Sequence, residues 1–165
     1  MKLNLDILPF GRSELEVELS IIVPADNGEE SLNECLAGVL AVDNADRHVI
    51  LSGELKAAGE STCDRCLERF ELDFSVPVDI TIVRDRYREE TEETGEFDSW
   101  VIHQARGEVD LDDPLREAAV LAQPQKMVCN KDCRGLCPSC GVNLNRDSCD
   151  CTAEDHDPRW DGLPD

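Results

Sequence analysis

Nine cysteines in a chain of 165 residues, eight of them in close pairs, constrain this sequence more than any other feature. Six fall between Cys129 and Cys151. Within that stretch Cys137-Pro-Ser-Cys140-Gly141 has the form of a zinc knuckle: a tight turn sets two thiolates about 3.5–4 Å apart, and the glycine lets backbone amides face the sulfurs. Cys149-Asp-Cys151 returns after a short polar loop. Far upstream, Cys63-Asp-Arg-Cys66 forms a second knuckle with no partner nearby in sequence. The opening Met1-Lys-Leu-Asn-Leu-Asp6 lacks the positive and then apolar regions of a signal peptide, and no apolar run approaches the roughly 20 residues of a membrane span. The expected setting is therefore the reducing cytoplasm, where clustered cysteines are metal ligands more often than disulfides.

Two pairings are open. In the first, Cys137, Cys140, Cys149 and Cys151 form a short zinc-ribbon-like site, and Cys129 and Cys133 reach back to Cys63 and Cys66. Eight ligands then close two Cys₄ sites, and closed sites are structural. In the second, one Zn²⁺ takes four of the six C-terminal cysteines and leaves Cys63 and Cys66 as a free dithiol, which would allow redox or metal-handling activity. His156 is a weaker ligand candidate among acids.

The remaining pattern is mostly β. Leu15, Val17, Leu19 and Ile21 alternate with polar residues, as in a half-buried strand. Pro24 to Glu30 reads as a turn. The segment 32–42 carries both a helical spacing (Leu32, Cys35, Leu36, Val39) and a helix-weakening Gly38; a strand over 35–42 is the preferred reading, with Cys35 as a small buried apolar residue. Asp43 to Asp46 turns into a second strand through Val49, Leu51, Leu55 and Ala57, which runs into the Cys63–Cys66 knuckle. Phe70, Leu72, Phe74, Val76, Val78, Ile80 and Ile82 then alternate along a long strand, bent or at an edge at Pro77. Residues 85–99 read as a solvated acidic loop, Trp100–Ile102 and Glu108–Leu111 as short strands. Asp113 is placed as the cap of a helix with Pro114 in its first turn, a face of Leu115, Ala118, Ala119 and Ala122, and an end at Pro124. The expected fold is α+β: an antiparallel β-sheet or partly open barrel with few helices, plus a C-terminal cysteine-rich, zinc-ribbon-like module. Residues 1–125 form the β-rich domain with the Cys63–Cys66 knuckle, and 126–165 the zinc-binding segment.

The formal charge of −21 repels phosphate and membrane surfaces and attracts basic partners. Arg65, Arg69, Arg134 and Arg146, with Lys126 and Lys131, are the positive groups nearest the knuckles, and neighbouring acids match or exceed them. The four arginines are the candidate partner-binding residues and the only expected RNA contacts. Catalysis is not expected: His48, His103 and His156 are scattered, no Gly-rich phosphate loop is present, and zinc saturated by cysteine leaves no position for water. No small-molecule substrate is indicated.

Cys63-Asp-Arg-Cys66-Leu-Glu-Arg-Phe70 at a strand start resembles the hallmark of the bacterial YceD family, also called domain of unknown function 177. Asp110-Leu-Asp-Asp-Pro-Leu-Arg-Glu117, the run from Cys133 to Asn145, the Cys149–Cys151 pair and Asp157-Pro-Arg-Trp160 look like further signatures of its cysteine-rich members. The resemblance covers about 36–163. It implies a cytoplasmic factor of large-subunit ribosome biogenesis, needed for 23S rRNA accumulation or processing. Joined to the charge, it implies an acidic adaptor for a basic ribosomal protein or pre-ribosomal particle, with a directly RNA-binding zinc ribbon as the alternative.

Overall fold

The structure, a computed structural model, describes residues 1–24, 31–84, 100–104 and 106–151. The expected turn after Pro24, the acidic loop at 85–99, His156 and the terminal Asp157–Trp160 motif lie outside the described residues. The chain divides into two compact units: 1–61 with 71–125, and 62–70 with 126 onward. The Cys63–Cys66 turn thus groups with the C-terminal cysteines rather than with the strands on either side of it.

The first unit is dominated by a sheet of five strands in the order β2-β3-β4-β5-β6. These are β2 (Gly11–Pro24), β3 (Ser31–Asn44), β4 (His48–Thr62), β5 (Arg69–Val83) and β6 (Trp100–His103). β1 (Lys2–Asn4) pairs antiparallel with β7 (Glu108–Asp110) in a separate two-stranded ribbon. One short helix, α1 (Asp112–Ala122), follows. Among the described residues no helix is long and apolar enough to cross a membrane.

Alternation decides which face of the sheet is buried. Val17 and Ile21 of β2, Leu36, Leu40 and Val42 of β3, Val49, Leu51 and Leu55 of β4, and Val76, Val78, Ile80 and Ile82 of β5 all point into one core. Leu3, Val109, Leu115 and Ala119 complete that core from β1, β7 and α1, with Leu111 between the last two. The ambiguous segment 32–42 is strand. Gly38 sits opposite Leu55 and Gly53 opposite Leu40 in the β3–β4 register, so each leucine fills the space left by the glycine across from it. A Cβ on Gly38 would come within 2.9 Å of Leu55 Cδ2, and one on Gly53 within 3.1 Å of Leu40 Cδ2.

Three expectations are corrected. Cys35 is exposed, because the inward positions of β3 are even-numbered and Cys35 falls on the outward parity. Asp113 is not the helix cap: α1 starts at Asp112, whose N–H is taken by Asp110 Oδ1 (3.0 Å), while Asp113 lies inside the first turn and pairs with Arg116 (2.8 Å). The sheet is not wholly antiparallel, since β6 joins β5 in parallel, at Ile80–Val83. Pro77 lies outside that register, in a part of β5 where its missing N–H costs no bond to β6.

Candidate metal centre

The turn after β4 is built to aim sulfurs. The N–H of Cys63 donates to Glu68 O (2.9 Å) and that of Leu67 to Cys63 O (2.9 Å), with Leu67 at φ 59. The left-handed residue closes the loop so that the amides of Arg65 and Cys66 face the Cys63 sulfur. The segment 126–136 is strapped to this turn by four hydrogen bonds. Asp64 N–H donates to Met127 O (2.8 Å), and Met127 N–H returns one to Asp64 Oδ2 (2.6 Å). Arg65 Nη1 donates to Cys133 O (2.8 Å), and Leu136 N–H donates to Arg65 O (3.0 Å). Gly135, at φ +75, permits the last of these, since a Cβ there would lie 3.0 Å from Arg65 O.

This strapping gathers Cys63, Cys66, Cys129 and Cys133, with all four Sγ atoms within 4.8 Å of one another. Cys63 Sγ and Cys133 Sγ are 3.8 Å apart, Cys66 Sγ and Cys129 Sγ 3.6 Å. Zn–S bonds of 2.3 Å in a tetrahedron require sulfurs about 3.8 Å apart. Phe70 and Val128 pack against the buried sulfurs and shield that side of the site.

The second group is local. Cys137 N–H donates to Val142 O (2.8 Å) and Gly141 N–H to Cys137 O (2.9 Å), with Gly141 at φ +74. Leu136 and Asn143 form a bridge, and Leu144 N–H donates to Gly135 O (2.9 Å). This narrow ribbon presents Cys137 and Cys140, and the chain returns with Cys149 and Cys151, again with all Sγ atoms within 4.8 Å. These are the two fours of the first pairing set out above. Four thiols around each point could fill every position of a tetrahedral ion, leaving none for a reacting water.

The amides also set the charge of the thiols. Burial raises the pKa of Cys63, but hydrogen bonds from the backbones of Cys129, Cys66 and Arg65 outweigh it and bring it to about 6. Backbone hydrogen bonds from Cys140 and Ser139, aided by the Cys149 side chain, draw Cys137 to about 6. Desolvation, then the neighbouring thiols, pushes Cys129 to about 12; the Cys140 side chain, then desolvation, does the same to Cys151. Each group therefore holds a ready thiolate beside thiols whose protons a dication would displace.

Sequence reasoning passed over two supporting side chains. Asn145 Nδ2 donates to Cys133 Sγ (3.3 Å) while its Oδ1 accepts from Arg134 N–H (2.8 Å), and Asp64 clamps Met127 as described. The sign was available in Asn143-Leu-Asn145, a pair suited to Asx turns, of which Asn145 N–H to Asn143 Oδ1 (2.9 Å) is one. Of the candidate partner-binding arginines, Arg65 is held on Cys133 O, and Arg146 is ion-paired to Glu68 at 2.6 Å. Replacing Arg65 with Met keeps its bulk but removes that donor. Loss of an outer hydrogen bond of this kind is expected to weaken metal retention by roughly 10- to 100-fold, read as faster transfer of metal to a chromophoric chelator. Transfer at the unaltered rate would show that Arg65 plays no part in holding the site.

A family model described as large ribosomal RNA subunit accumulation protein YceD matches residues 51–165, a span that includes all eight of these cysteines. The chain belongs to the YceD family. An uncharacterised protein of Mycobacterium bovis and one of Mycobacterium tuberculosis are each 34% identical to it over 121 residues, covering 73% of this chain and 56% of the relative. The large ribosomal RNA subunit accumulation protein YCED homolog 1, chloroplastic, of Arabidopsis thaliana is 27% identical over 139 residues, covering 75% of this chain and 43% of its own length. The chain thus spans about half the length of these relatives. No solved structure matches it.

Proposed function

We propose that this chain is a non-catalytic ribosome-biogenesis factor that supports accumulation of 23S rRNA in the cytoplasm, with its cysteine-rich unit held by two structural Zn²⁺ ions. The family match carries the reading, because it spans both four-thiol groups and comes with the description of a large-subunit rRNA accumulation protein. Cys63, Cys66, Cys129 and Cys133 hold one ion, and Cys137, Cys140, Cys149 and Cys151 the other. Zinc supplies cross-linking here, and the chain supplies thiolates, amides and the Arg65 and Asn145 supports.

The chain acts as an acidic adaptor for a basic ribosomal protein or pre-ribosomal particle. In support, Glu14, Glu16 and Glu18 stand on the outward face of β2 and Glu54 on that of β4. Between them runs β3, whose outward Val39 is 49% exposed opposite Glu16 and Glu54. An apolar strip with acidic flanks suits a partner segment carrying lysine or arginine beside short apolar side chains. Arg65, Arg69, Arg134 and Arg146 are the candidate contacts on the cysteine-rich unit.

The test is made on total RNA. In a host lacking its own family member, expression of this chain is expected to restore the 23S to 16S rRNA ratio. A ratio indifferent to its presence would overturn the reading.

A further inference from the structure

We infer that one end of the first unit, where Phe10, Arg84 and Arg106 meet, is a binding pocket for a nucleotide of single-stranded RNA. The inference rests on the proposed function only in naming RNA as the source of that nucleotide.

Most described cations of this unit are spread out, several of them beside acids. Lys2 faces Glu108 at 3.6 Å, Arg12 faces Asp43 at 3.6 Å, and Arg116 holds Asp113. Arg84 and Arg106 share one cavity of about 390 Å³ with Leu5, Leu8 and Phe10. Arg47 lies beside it, its carbonyl accepting Arg84 N–H at 3.1 Å. The cavity is formed by the β1–β2 connection, the β3–β4 turn, the end of β5 and the β6–β7 connection, and a volume of this size suits one small ligand.

The pocket is built rather than incidental. Asn44, only 2% exposed, donates from Nδ2 to Leu8 O and Pro9 O, both at 3.0 Å, and its Oδ1 accepts from Arg84 Nη2 at 3.0 Å. One buried amide thus fixes both the loop that carries Phe10 and the guanidinium of Arg84. Gln104 Nε2 donates to Arg106 O (2.9 Å) and Glu108 O (2.8 Å), and Gly107 N–H to Asp6 Oδ2 (3.1 Å), which fixes the backbone around Arg106. Against this frame Phe10 is 75% exposed, and Ile7 in the same connection is 80% exposed.

An exposed aromatic ring beside guanidinium groups is the combination single-stranded nucleic acid uses, the ring stacking a base and the arginines taking phosphate. Asp6 and Asp46 also line the cavity. Carboxylates there would repel a bare phosphate but accept the amino N–H groups of a cytosine or guanine edge. The mixed lining therefore fits a whole nucleotide better than an inorganic anion. The global charge does not forbid it, because the Debye length is only about 8 Å at physiological salt and acids further than that are largely screened.

The experiment uses the full-length, zinc-loaded chain and a fluorescein-labelled, mixed-sequence single-stranded RNA 12-mer, followed by anisotropy across a salt series. The unaltered chain is expected to bind. Phe10→Ala is expected to bind roughly tenfold more weakly at every salt concentration. Arg106→Ala is expected to lower the slope of log affinity against log salt by about one. Both side chains are on the surface, so a matching circular dichroism spectrum keeps either variant interpretable. Absence of binding by the unaltered chain, or equal binding by both variants, overturns the inference. Rescue of 23S rRNA without 12-mer binding would leave the proposed function standing and this pocket refuted. Binding without rescue would do the reverse.

Discussion

Native mass spectrometry is expected to count two zinc ions on the unaltered chain and one after Cys133 is replaced with serine. Cys133 is buried, 3.8 Å from Cys63 Sγ, and receives a hydrogen bond from Asn145, so a hydroxyl there removes one ligand and unmakes the geometry of the other three. The effect on structure should be large. Structural zinc contributes on the order of 10 kcal/mol in small zinc modules, comparable to the whole stability of a typical domain at about 5–15 kcal/mol. Protease should then cut between 126 and 136, a stretch strapped mainly to the Cys63–Cys66 turn, while the five-stranded sheet persists with its own core. Cys149→Ser should lose the other ion and spare that stretch. A Cys133→Ser chain that still carries two ions would refute the assignment of these four thiols.

Gly38→Val is expected to be the most damaging single change in the sheet that adds rather than removes atoms. Its Cβ would meet Leu55 Cδ2 at 2.9 Å and Leu55 Cα at 3.3 Å, inside a core where Leu55 is fully buried. Overpacking of this kind costs about 1–3 kcal/mol. Leu55→Ala alone should cost about 2–5 kcal/mol by leaving a cavity. The two together should cost less than their sum, because the truncated side chain yields the space the valine needs. Urea unfolding of the four proteins closes the cycle. Strict additivity would mean that the glycine–leucine interlock across β3 and β4 is not what holds these strands close.

Residues near one another in the chain made much of this legible. Cys137, Cys140, Cys149 and Cys151 lie within one short ribbon, and the alternation from Phe70 to Ile82 names its own buried face. Grouping Cys63 and Cys66 with Cys129 and Cys133 took counting rather than pattern, since sixty-three positions separate Cys66 from Cys129. The failures have physical reasons. Cys35 follows Glu34 and precedes Leu36, and in a strand the burial of Leu36 puts Cys35 on the opposite face. Asp113 beside the proline resembles a cap in sequence, but α1 begins at Asp112 and Asp110 serves its first amide. Nothing in Trp100–His103 encodes whether it runs parallel or antiparallel to its neighbour, because both ladders accept the same side chains. The pocket at Phe10 was invisible because its lining comes from four separate connections.

The strapping of 126–136 onto the turn after β4 also sets an order of events during synthesis. Half of the first thiol group leaves the ribosome with Cys66, and its complement arrives only after β5, β6, β7 and α1 have been made. Joining the halves closes a long loop, at an entropic cost that an already folded intervening segment largely removes. The second group needs no such wait, for its four thiols emerge within fifteen residues of one another. The two sites would therefore fill by different rules: one as soon as it is translated, the other as a report that everything between its halves has folded.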